Sequence, residues 1–156
     1  MNEYLLEARD ELKRLEHIIY VSLKYTRTVD VIINALNRMV SCIDLIIEAF
    51  LEKAKEDKLI EVLPKSPALR ATKVTEIYST DLELQRYLTF YAFLRTILKL
   101  PYTKREEFRR HVTFVVELDH ATAEINIDNL VNCERFMHEF SKYAWTVLVG
   151  KNEDDD

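Results

Sequence analysis

From Leu5 the apolar positions fall at Leu5, Ala8, Leu12, Leu15 and Ile19, a 3-4-3-4 spacing that lays one stripe along a helix over about residues 3–24, with Asn2 as its cap. Thr28 opens a second segment. Asp30 stands in its first turn, where a carboxylate suits the helix dipole, and Val29, Ile32, Ile33, Leu36, Val40, Ile43, Ile47, Phe50 and Ala54 carry the pattern to about residue 56. At 100° per residue these positions cover roughly 200° of the wheel, so this helix must meet at least two neighbours.

Residues 57–79 contain Pro64 and Pro67 and read as a connection inside the domain, with Ser66-Pro67 as cap and first position of a short helix to about Tyr78. Thr80-Asp81-Leu82-Glu83 reads as a capping box, and the helix it opens must stop before Pro101. The apolar residues of that helix, Leu84 to Leu98, spread over roughly 240° of the wheel. A single bundle has difficulty covering so wide an arc, which predicts a homodimer through helix 82–98.

Thr103-x-x-Glu106 reads as a second capping box, opening a helix with Phe108, Val112, Val115, Leu118 and Thr122. Asn126 or Asp128 then caps a last helix carrying Leu130, Cys133, Met137, Phe140, Ala144 and Val147. One continuous rod over 104–149 is the alternative to a break near Asn126. The break is preferred, because the rod would outrun a compact domain at about 1.5 Å per residue.

Composition narrows the class. The 156 residues include one glycine, Gly150, and three prolines, and hairpins usually need left-handed turn residues; the expectation is an all-α, up-down bundle of four to five helices. A single domain over residues 1–150 and an acidic disordered tail over 151–156 are expected. Cys42 and Cys133 lack metal-ligand spacing, which suggests a reduced, cytoplasmic setting. No apolar run reaches the roughly 18 residues of a spanning helix, so no membrane partner is expected. The formal charge of -5 disfavours a nucleic-acid footprint over the whole surface, although Glu153 to Asp156 supply four of the negatives.

The densest chemistry is "KREEFRRH", residues 104–111. Read from the residues, it is the solvated, cation-rich first turn of a helix, with Arg109 and Arg110 as anion-binding candidates. A regular helix would turn Arg105 and His111 through about 600°, leaving them about 120° apart, so a shared site would need a dimer or a helix break. The hinge Lys24-Tyr25-Thr26-Arg27-Thr28 is a second anion-binding candidate, through Lys24, Arg27 and Thr28 at the amino end of helix two. Glu117-x-x-His120 lacks the partners a di-iron bundle needs, and Glu134, His138 and Ser141 read as a wet face. No metal and no cofactor is expected.

Arg105 and His111 form an R-x5-H pair. With two long amphipathic helices, a proline-bearing connection and a further helix ahead of it, this plan resembles the HEPN superfamily over about residues 1–125. The resemblance implies a metal-independent RNase, with Arg105 and His111 as its catalytic pair, assembled across a homodimer. The sequence favours a homo-oligomeric interaction or binding module with an RNA or protein partner over an enzyme, and keeps a HEPN-like RNA-directed nuclease or RNA/nucleotide-binding protein as the alternative.

Overall fold

A computed structural model describes residues 2–150; the acidic tail falls outside them. Helix α1 (Glu3–His17) runs into a π-helical turn (Ile18–Ser22) and a last α-turn (Leu23–Tyr25), and its start is capped by Asn2, whose Oδ1 accepts from Leu5 N at 3.1 Å. Helix α2 (Val29–Glu56) follows the non-helical residues 26–28. Helix α3 (Pro67–Ile77) begins with Ser66 as cap, its Oγ accepting from Leu69 N at 3.1 Å, and α4 (Leu82–Lys99) begins with Asp81, which accepts from Leu84 N at 3.0 Å. The cap of α4 is thus Asp81 and not Thr80. Leu100, extended ahead of Pro101, ends the helix as the proline rule requires.

The chain is not purely helical. Residues 103–125 form a three-stranded antiparallel sheet in the order β1 (Thr103–Arg105), β2 (Thr113–Glu117), β3 (Thr122–Ile125). Thr103 faces Val115 in the first pairing and Phe114 faces Ile125 in the second. Two physical reasons overturn the helix expected here. The run Val112 to Val116 is apolar or β-branched at every position; a pleated strand covered on both faces accommodates that, and Thr113 to Val116 are all buried. The left-handed turn residues that glycine scarcity argued against are supplied by Glu106 (φ 56°) and Phe108 (φ 67°). Thr103 and Glu106 therefore lie in a strand and a turn instead of a capping box. The break before the last helix, α5 (Ile127–Val149), is real: Asn126 and Asn129 cap each other reciprocally across its first turn.

Helix α2 is the centre of the domain and packs against every other helix and against β2. Ile32, Leu36, Met39, Ile43 and Ile46 have no exposed surface at all. Phe50 stacks on Tyr143 of α5 and meets Tyr78 edge-on, joining α2 to both neighbours with the ring geometries aromatic pairs prefer. Most of the wide apolar arc of α4 is buried within this one chain, through Leu84, Tyr87, Leu88, Tyr91, Leu94 and Ile97. No described helix is long and apolar enough to cross a membrane.

Candidate functional site

The two segments richest in candidate chemistry, the hinge 24–28 and the loop 104–111, are far apart in sequence and touch in the fold. An α-helix leaves its first N–H groups without intrahelical partners. At α2 one of them, Val31 N–H, goes to the Thr28 hydroxyl at 3.3 Å, and another, Val29 N–H, goes to the Glu107 carboxylate at 2.9 Å. Phe108 N–H donates to the Arg27 carbonyl at 2.6 Å. The β1–β2 loop is thus fastened across the hinge by backbone and carboxylate contacts. Lys104 completes the junction, its Nζ 3.6 Å from both Asp30 and Glu107; chiefly Asp30 holds its ammonium above the ordinary range.

The cations of this face divide into two groups. Lys104 is engaged as above, Arg105 pairs with Glu124 across the sheet, and Arg110 pairs with Asp128 in the first turn of α5 at 2.9 Å. Lys24, Arg27 and Arg109 make no side-chain hydrogen bond or ion pair among the described residues, and Arg27 Nε is buried without a partner. Beside these unengaged cations stand two of the most exposed aromatic rings of the chain, Tyr25 at 82% and Phe108 at 77%. Phe108 is held there by a left-handed backbone that a bulky residue adopts only when its surroundings fix it.

No protein-family model, curated protein or solved structure matches the chain. The site must be read from its own geometry. Arg105 lies on β1 opposite Thr113, and His111 lies exposed in the loop leading into β2, so the helical angle between the pair does not apply. No hydrogen bond or ion pair links the two side chains; Arg105 is committed to Glu124, and the His111 carbonyl accepts from the Thr113 hydroxyl at 2.7 Å. Glu117 ends β2 and accepts from the Thr122 hydroxyl at 2.8 Å, while His120 is exposed in the next turn.

Away from this face, Arg95 approaches Tyr91 Oη at 3.4 Å, and that hydroxyl donates to Asp44. Burial pushes the Asp44 carboxyl up, against the opposing pull of Tyr91 and Arg95. A groove of about 410 Å³ lies alongside, between α3 and α4, with Ala71, Thr75, Leu88 and Lys99 in its walls. One cluster of described residues has the composition of a metal site: Glu16, Glu134 and His138.

Sequence reading found the cations of the junction and missed Glu107, Tyr25 and Phe108. Nothing local marks Glu107 as the partner of a helix 78 positions earlier. Phe108 did carry a signal, as the one apolar side chain in the octapeptide 104–111.

Proposed function

We propose that the chain is a binding module that takes single-stranded RNA on the face built from the α1–α2 hinge and the β1–β2 loop, and that it does not cut it. The observation that carries this reading is the placement of exposed Tyr25 and Phe108 among the unengaged Lys24, Arg27 and Arg109. Unstacked bases lie on exposed rings and phosphates pair with unengaged cations, a combination that suits single strands better than duplexes. Catalysis through Arg105 and His111 is disfavoured because the arginine is already neutralised by Glu124 and the histidine has no second acid or base in contact.

Fluorescence anisotropy with a labelled oligouridylate tests the reading. Binding should weaken with salt at a log–log slope of roughly −2, as three cations at about 0.7 each imply for a single strand. Phe108→Ala and Tyr25→Ala should each weaken it roughly fivefold or more, the lower end of a lost base–ring stack. Binding indifferent to both substitutions would remove the proposal. Cleavage abolished by His111→Ala would replace it with the nuclease of the HEPN-like resemblance.

A second reading, self-association through α4, rests on what that helix leaves uncovered. Leu82 is 80% exposed and Phe93 36%, and eleven residues of helix bring them to within about 20° of one stripe. Light scattering should then give twice 18.5 kDa, reduced to the monomer by Phe93→Asp.

A further inference from the structure

We propose that Glu16, Glu134 and His138 form a binding site for one divalent first-row transition ion, zinc(II) foremost. Helix α1 supplies Glu16 and helix α5 supplies Glu134 and His138, which four-residue spacing places on one helix face. One ligand atom from each lies within 4.8 Å of the others. His138 Nε2 is 2.9 Å from Glu16 Oε1 and 3.6 Å from Glu134 Oε1. A tetrahedral ion with bonds of about 2.1 Å holds its ligand atoms about 3.4 Å apart, between those two values. Small side-chain rotations are enough to seat it.

Three features favour an ion over a plain salt bridge. Glu134 is only 8% exposed, and a carboxylate so deeply placed requires compensation. Neither Glu16 nor Glu134 has a lysine or arginine within 4.0 Å among the described residues, so two carboxylates share the single imidazole of His138. A divalent ion cancels their charge. The second feature is the donor set: an imidazole with two carboxylates suits zinc and its neighbours and does not suit calcium or magnesium, which take oxygen alone. The third is Tyr20, whose hydroxyl donates to Glu134 Oε1 at 3.3 Å and so orients that ligand, as outer-shell partners of metal ligands do. Tyr20 belongs to the π-helical turn Ile18–Ser22, a widening of the helix found disproportionately at functional sites.

The thiols do not compete. Neither Cys42 nor Cys133 places its sulfur among the clustered ligand atoms, which come from Glu16, Glu134 and His138. With three protein ligands the ion keeps a fourth position for water, the arrangement of open zinc sites.

The test is titration of the full, metal-stripped chain with zinc(II) by calorimetry and with cobalt(II) by visible absorption. One saturable equivalent is expected, with cobalt d–d bands of a four-coordinate nitrogen–oxygen site. Glu134→Gln and His138→Asn should each weaken it tenfold or more, and Tyr20→Phe by a smaller factor, while circular dichroism stays helical. Absence of saturable binding, binding undisturbed by Glu134→Gln and His138→Asn, or strong cobalt–thiolate charge transfer would each overturn the proposal. Glu16→Gln, at a half-exposed position, serves as the variant least able to disturb folding, and its full retention of affinity would also count against the site.

Discussion

Helix α2 and the β1–β2 loop meet at Val29, and they are made on opposite terms. The helix places Val29, Ile32, Leu36, Met39 and Ile43 wholly out of solvent and serves as the packing surface for every other helix. The loop 106–111 is exposed or half-buried throughout, holds two left-handed non-glycine residues and is tied to the helix by a few hydrogen bonds and one bridging lysine. Packing and the proposed recognition are thereby separated in space: the fully buried residues of the helix are apolar, and the loop has little buried surface to lose.

That separation can be broken by substitution. The largest effect belongs to Phe50→Ala, which deletes a ring buried to 1% and leaves a cavity between Tyr78 and Tyr143. It should cost about 3–5 kcal/mol in urea unfolding while the folded fraction binds RNA as before. Coupled loss of affinity would show that the two regions are not independent.

Phe108→Gly sharpens the contrast from the other side. Relief of a φ of 67° contributes about 1 kcal/mol, the greater freedom of unfolded glycine offsets about half or more of it, and little packing is lost from a ring 77% exposed. Stability should stay within about 1 kcal/mol of the parent while RNA affinity falls as in Phe108→Ala. A large loss of stability would mean that the ring is structural.

The smallest effect is electrostatic. Burial raises the Asp44 carboxyl, so its contribution to stability is present below its unfolded value and is lost as pH rises through the folded one. Asp44→Asn keeps an acceptor for the Tyr91 hydroxyl and removes the charge. Its urea midpoint should lie slightly above the parent's at pH 7, and the gap should close as the pH is lowered into the carboxylate range. A gap that widens on acidification would reverse the sign argued here.

What could be read from the residues follows the range of the interactions involved. The caps Asn2, Thr28, Ser66 and Asn126 and the end of α4 before Pro101 are set within four residues of chain, and their positions were legible. The sheet was not. Phe108, Val112, Val115 and Leu118 satisfy a helical period by coincidence, whereas the unbroken run Val112 to Val116 held the better signal and was outweighed by the scarcity of glycine. Glycine count is a weak guide when glutamate and phenylalanine occupy the left-handed region, as at Glu106 and Phe108. The cationic residues of the candidate site were visible as composition, but the division into engaged and unengaged cations depends on Glu124, Asp128 and Asp30, partners set by tertiary contact.

Glu107 has one more consequence. A helix amino terminus is a place where free phosphate or sulfate settles, and at α2 the chain has put its own carboxylate there, 2.9 Å from Val29 N. An occupant tethered by a short loop acts at an effective concentration of the order of millimolar or above, so a weakly held inorganic anion in the surrounding solution is at a disadvantage against it. The helix end thus works as an internal plug-and-socket joint. An incoming polyanion is left to find the side chains of Lys24, Arg27 and Arg109, because the backbone donor at Val29 is already taken.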